Sequence, residues 1–146
     1  MRRVLIIDND ESVRIAIEAS LRRQDCVVVL AAGGREGAKA FETSEFDVVM
    51  IDIFMPGMDG LQAIKRLREH APKVPIIAMS GYKYRKSTSP VPDFLEMSVK
   101  LGATYSLCKP FGHTQLKAAI DACFAEQPAT DSDAESGNSP EPHPCR

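Results

Sequence analysis

Four places along the chain carry side chains that could act together on a phosphoryl group. Asp8-Asn9-Asp10 follows the apolar run Val4 to Ile7, and Asp52 follows Val48 to Ile51. Ser80 follows Ile76 to Met79, and Lys109 follows Tyr105 to Cys108 and precedes Pro110. Clustered carboxylates repel one another and require a cation. Ligands that are all oxygen suit magnesium rather than zinc. A carboxylate beside such an ion can attack phosphorus covalently. The ion and a lysine then neutralise the transferred oxygens, and the Ser80 hydroxyl donates to one of them. Each residue alone has a plainer role: an Asp at a strand end caps a helix, a Lys before Pro is a solvated loop residue, and Ser-Gly is a turn. The combination is set apart by falling at the ends of four apolar runs.

Those runs alternate with helical spacing. Val13, Ile17, Ser20 and Leu21 share a helix face, with Asp10 placed to cap it. Cys26 to Leu30 reads as a second strand closed by Gly33-Gly34, and a short helix carries Ala38 and Phe41. Residues 47–52 form the third strand, and the loop Met55 to Gly60 leads to a helix with Leu61, Ile64 and Leu67 that ends near His70. Ile76 to Met79 is the fourth strand, a later helix holds Leu95 and Val99 and ends at Gly102, and Tyr105 to Cys108 is the fifth strand. The last helix carries Leu116, Ala119, Ile120 and Cys123. Continuously apolar strands are those of a parallel sheet covered on both faces. The expected architecture is α/β, a three-layer sandwich of five parallel strands and five helices, whose functional crevice lies beyond the carboxyl ends of the strands.

Residues 126–146 hold four prolines and five acids and almost nothing apolar. Such a segment cannot offset its ordering entropy by burial, so the expected domain is 1–125 with a disordered Pro/acid-rich tail, and the acidic balance of the chain comes from that tail. With a net charge of -2, no basic field points to nucleic acid. No run is long enough to cross a bilayer, and the short apolar stretch before Asp8 reads as a first strand of a cytoplasmic protein rather than a signal peptide. Cys26, Cys108, Cys123 and Cys145 lack zinc-site spacing. The first three are expected as buried thiols and the last as an exposed one.

The stretches Val4-Leu5-Ile6-Ile7-Asp8-Asn9-Asp10, Asp52-Ile53-Phe54-Met55-Pro56-Gly57-Met58-Asp59-Gly60, Ile77-Ala78-Met79-Ser80 and Lys109-Pro110-Phe111 together resemble the receiver domain of bacterial two-component response regulators. The resemblance covers residues 2 to about 125. It implies the flavodoxin-like strand order 2-1-3-4-5, which the pattern of runs does not itself give. By position, it implies Asp52 as phosphoacceptor, Lys109 and Ser80 as the groups that pair with the phosphoryl oxygens, and Asp8, Asn9, Asp52 and the Phe54 carbonyl around Mg2+. It further implies a phosphohistidine donor on a sensor histidine kinase or a histidine phosphotransfer protein, and a downstream protein target. Any enzymatic activity would be self-phosphorylation and autodephosphorylation, and a phosphorylation-dependent homodimer stays open. Nothing after residue 125 reads as an output domain.

Three features depart from the family pattern. Asn9 stands where a second pocket aspartate is usual, so magnesium binding is expected to weaken. Ser106 stands where a switch aromatic is usual, and Tyr105, one residue earlier, must face the other way in a strand. The stretch from Ser80 to Gly102 is longer than usual and carries Tyr82, Lys83, Tyr84, Arg85 and Lys86. It reads either as a docking loop or as a solvated one, with Pro92 placed to open the next helix. The alternative function is a pseudo-receiver, an interaction module independent of phosphorylation. A haloacid-dehalogenase-like phosphatase lacks its second acid, because Phe54 occupies that place. A flavodoxin-like cofactor protein is disfavoured by the acidic loop after the first strand.

Overall fold

The computed structural model describes residues 1–54, 60–81 and 99–125. In chain order these form β1 (Arg2–Ile7), α1 (Glu11–Arg22), β2 (Cys26–Ala31), α2 (Gly34–Thr43), β3 (Val48–Asp52), α3 (Gly60–His70), β4 (Ile76–Gly81), β5 (Tyr105–Lys109) and α4 (His113–Ala125). Residues 99–101 are also helical, and Gly102 follows them in the left-handed region at φ 124°, where the helix containing Val99 was expected to end. All four strand pairings are parallel, and the order is β2-β1-β3-β4-β5, as the resemblance implied.

Alternation along each strand explains why the runs carry no polar residues. Val4 and Ile6 of β1 pack into one core with Val48, Met50, Ile77 and Met79, closed by Ile17 and Leu21 of α1 and Leu116 and Ile120 of α4. Leu5 and Ile7 face the opposite core, with Val49, Ile51, Ile76 and Ala78, closed by Ala63, Ile64 and Leu67 of α3. A strand buried on both faces needs apolar side chains at every position. The strands therefore run apolar until they emerge at their carboxyl ends, and the polar residues begin there.

The second helix carries Ala38 and Phe41 as expected, but its most buried positions are others. Ala38 and Phe41 are only half-buried, and the buried positions of α2 are Gly34 and Gly37. Gly34, read from sequence as closing the strand, is the first residue of the helix. A Cβ on Gly37 would stand 2.3 Å from Cδ1 of Ile7, so the glycine lets the helix backbone approach the sheet more closely than a side chain allows. A hydrophobicity pattern does not register contacts made by backbone. At the opposite end of the sheet from the polar cluster, Arg68 of α3 donates to the carbonyls of Gly102, Ala71 and Val74 at 2.9, 3.0 and 2.6 Å. It thereby ties the end of α3 to the entries of β4 and β5.

Gly60 makes the other close approach. A Cβ there would lie 2.2 Å from the Asp52 carbonyl oxygen and 2.3 Å from Cα of Ile53, whereas a Cβ on Gly33 would meet nothing within 4 Å. Gly60→Ala is expected to lower stability by about 1–3 kcal/mol, because backbone must move to make room. Gly33→Ala should stay within about 0.5 kcal/mol of wild type. Urea denaturation of the two variants checks this; equal midpoints would contradict the close packing of α3 on the end of β3.

Candidate functional site

The parallel register sets Ile7 beside Ile51 and Asp52 beside Met79. Asp8 and Asp52 therefore leave the sheet from adjacent strands, with Ser80 of β4 on the far side of Asp52. Ser80 pairs with Cys108, and Gly81 with Lys109. The four sequence-predicted positions thus share one edge of the molecule, at the carboxyl ends of β1, β3, β4 and β5.

Asp8 is fully buried, while Asp52 and Ser80 are 5% and 6% exposed. The Lys109 ammonium lies 2.6 Å from Oδ2 of Asp8 and 3.2 Å from Oδ2 of Asp52. One cation thus bridges two buried carboxylates. Each remaining carboxylate oxygen accepts a backbone N–H: Oδ1 of Asp8 from Asp10 at 2.9 Å, and Oδ1 of Asp52 from Phe54 at 3.0 Å. Burial pushes the Asp52 carboxyl above its ordinary pKa. The Phe54 N–H and the Lys109 charge oppose that rise, and the Asp8 charge adds to it. Burial pulls the Lys109 ammonium down, but its hydrogen bond to Asp8 and the charges of Asp52 and Asp8 outweigh this and hold it above its ordinary value. The peptide between Lys109 and Pro110 is cis.

Asp10 does not stand in for the acid missing at Asn9. Its Oδ1 accepts from the backbone N–H of Ser12 at 2.9 Å and from the Ser12 hydroxyl at 2.7 Å, which makes it the N-cap of α1. The Ser12 hydroxyl and backbone bonds hold its carboxyl below the ordinary range. Asn9 is exposed. Among the described residues no three or more His, Cys, Asp or Glu side chains form a group able to hold a metal. The side-chain oxygens brought together here are the two carboxylates of Asp8 and Asp52. That set is hard and fits magnesium. With Lys109 already neutralising one of two negative charges, it fits weakly.

Three contributors to the site were not read from sequence. Arg14 of α1 donates to the Asp8 carbonyl at 2.7 Å and so fixes the turn that aims the Asp8 carboxylate. A cation in the first turn of a helix opposes the helix dipole, and that was the available clue. The Phe54 N–H on Asp52 and the close approach of Gly60 are backbone effects, which side-chain types do not reveal. The expected separation of Tyr105 from Ser106 is present. Tyr105 pairs with Ile77 and is buried among Met79, Leu116 and Ile120, while Ser106 pairs with Ala78 on the other face and is 7% exposed. One sequence expectation is corrected: Cys108 is half-buried and disulfide-bonded rather than a buried thiol, whereas Cys26 and Cys123 are buried. The loop residues Met55 to Asp59, the basic stretch Tyr82 to Lys86, Pro92 and the 126–146 segment lie outside the described residues. Among the described residues no helix is long and apolar enough to cross a membrane.

Known proteins match this arrangement. The family model for the response regulator receiver domain matches residues 4–121. The transcriptional regulatory protein AfsQ1 of Streptomyces coelicolor is 32% identical over 136 residues, covering 90% of this chain and 56% of its own. The alkaline phosphatase synthesis transcriptional regulatory protein PhoP of Bacillus subtilis is 26% identical, covering 83% of this chain and 48% of its own. The chain thus spans about half the length of these two curated relatives. Among solved structures, the chemotaxis protein CheY4 of Vibrio cholerae is 30% identical with a TM-score of 0.72, covering 83% of this chain and 97% of that one. A receiver domain from Clostridium thermocellum has a TM-score of 0.76 at 24% identity, covering 86% and 95%, and supports the fold alone. With its strand order, its acid pair and its lysine in place, the chain belongs to the response regulator receiver domain family.

Proposed function

We propose that the protein accepts a phosphoryl group from a phosphohistidine donor onto Asp52 and passes the resulting signal on by protein contact. The observation that carries this reading is the bridge from Lys109 to both Asp8 and Asp52. The ammonium, already on Oδ2 of Asp52, would pair with the charge of a phosphoryl group formed there. In the transfer, a carboxylate oxygen of Asp52 attacks phosphorus, the phosphorus–nitrogen bond breaks, and the imidazole leaves with the electron pair. Lys109 pairs with one phosphoryl oxygen, and the Ser80 hydroxyl donates to another. Asp8, Asn9, Asp52 and the Phe54 carbonyl would hold Mg2+, which supplies charge neutralisation to the transferred oxygens when bound. The donor would be a sensor histidine kinase or a histidine phosphotransfer protein, in the cytoplasm.

Incubation of the full chain with acetyl phosphate and magnesium, followed by intact mass, tests this reading. Wild type should gain one phosphoryl mass and Asp52→Asn none. An unmodified wild type would favour the pseudo-receiver, for which the exposed Asn9 and the core-facing Tyr105 speak.

The same variant tests the electrostatics. A carboxyl whose folded pKa is raised favours the native state only where it is protonated, and this advantage is lost as pH rises through the folded value. At pH 7 the ionised Asp52 therefore costs stability, and Asp52→Asn should raise Tm. The gain should shrink as pH falls far enough to protonate Asp52. A Tm lowered by the substitution at pH 7 would contradict the dominance of burial over the Lys109 charge.

Asn9→Asp restores a charged oxygen at the mouth of the pocket. Magnesium should bind about tenfold more tightly, read by metal titration of intrinsic or calorimetric signal. Equal affinity in the two proteins would mean that Asn9 does not face the ion.

A further inference from the structure

α2 and α3 both start at the carboxyl edge of the sheet and run side by side toward its other edge. Gly37 seats α2 directly on Ile7 through its backbone. Gly34 and Ala38 of α2 and Ala63 of α3 are too small to meet across the space between the helices. A cleft of about 370 Å³ remains, part of it open to solvent, with the Ile7 side chain as its floor. Leu67 forms one wall. Phe41, held against the Phe46 ring at 6.2 Å between centroids, closes the end away from Asp52. Protein interiors leave few voids, and apolar side chains that line one forgo the contacts that a filled site would give them. We propose that this cleft binds a monocarboxylate of about six to eight carbons, with its chain inside and its carboxylate on Arg66.

The mouth of the cleft supplies the sign of the head group. Arg66 and His70, one turn apart on α3, stand exposed there, with Glu42 of α2 also at the rim. Among the described residues none of these three side chains enters an ion pair. Arg66 is thus a permanent cation at an apolar opening and lacks a counter-ion among them. A guanidinium is weakly hydrated and takes a carboxylate through two parallel N–H donors, and the His70 ring offers a further N–H. Two donor groups against one acceptor favour an anionic head over an ammonium. Size sets the body of the ligand. Ala63 and His70 lie about 10 Å apart along the helix axis, and the volume is at the lower end of those that hold small molecules. A single saturated chain suits such a cleft, whereas a two-chain lipid does not.

Ile7 connects the cleft to the polar edge of the sheet. It precedes Asp8 and pairs in register with Ile51, which precedes Asp52. A chain lying on Ile7 is therefore sensed by the amides of Ile7 and Asp8, so that binding is visible residue by residue. The site does not depend on the reading of Asp52 as phosphoacceptor.

Titration of the isotopically labelled full chain with sodium octanoate, followed through its amide magnetic resonances, tests the site. Saturable shifts are expected at Ile7, Asp8, Ala38, Ala63 and Leu67. Affinity should rise about two- to fourfold per methylene from butanoate to octanoate, and octan-1-ol and octylamine should each bind at least about threefold more weakly than octanoate. Arg66→Gln should weaken octanoate by about three- to tenfold and leave octan-1-ol within about twofold. Ala38→Leu, which fills the cleft from a half-buried position, should abolish the octanoate shifts while its spectrum stays that of a folded protein. The chain-length and head-group series need no variant. No saturable shift with octanoate, an affinity indifferent to chain length, or octylamine binding as tightly as octanoate would overturn the proposal. So would shifts of the same amides on concentrating the protein without ligand, which would mean that a second copy of the chain fills the cleft. Undiminished octanoate binding by folded Ala38→Leu would place the ligand elsewhere and overturn it as well.

Discussion

Two carboxylates side by side with little solvent are the constraint around which this molecule is arranged. The parallel register of β1 and β3 places Asp8 and Asp52 at neighbouring strand ends, one fully buried and the other nearly so. Ionised carboxylates in such a place are costly unless a charge of opposite sign is brought to them. That charge comes from β5, which is separated from β3 by β4. The four-carbon stem of Lys109 crosses the end of β4, beside Ser80, to reach both acids. A short cation could not make this bridge, and a guanidinium would address two carboxylates with a different, forked geometry.

The rest of the local structure holds the two acids still. Arg14 and the Asp10 N–H fix the turn after β1, and the Phe54 N–H and the close approach of Gly60 fix the turn after β3. Apart from the Arg14 guanidinium, these contacts come from backbone groups, which position the carboxylates without adding side-chain charge. Asp10 is withdrawn to cap α1. The pocket therefore gathers two carboxylates and one ammonium, and its net charge is small.

Much of this was legible in the sequence because burial on both faces of a parallel sheet leaves a strong trace. Runs such as Val4 to Ile7 and Val48 to Ile51 can end in a polar residue only where the strand leaves the core, so the run ends marked the edge where the site lies. The order of strands was not legible from those runs. Each run is equally apolar, and the order followed from resemblance through motifs such as Lys109-Pro110-Phe111. The period-two rule placed Tyr105 and Ser106 on opposite faces correctly, because both are buried in a strand without a bulge. The close approach of α2 to the sheet was not legible, since Gly37 makes it through backbone and carries no hydrophobic signature.

Asp52 is the carboxylate of this pair proposed to take the phosphoryl group. An acyl phosphate is reduced by borohydride to an alcohol, which converts a phosphorylated aspartate into homoserine and leaves a free carboxylate unchanged. Peptide mapping after that treatment should place homoserine at position 52 alone. Homoserine at position 8 or 10, or a phosphoryl group that survives borohydride on a hydroxyl or nitrogen side chain, would contradict the account.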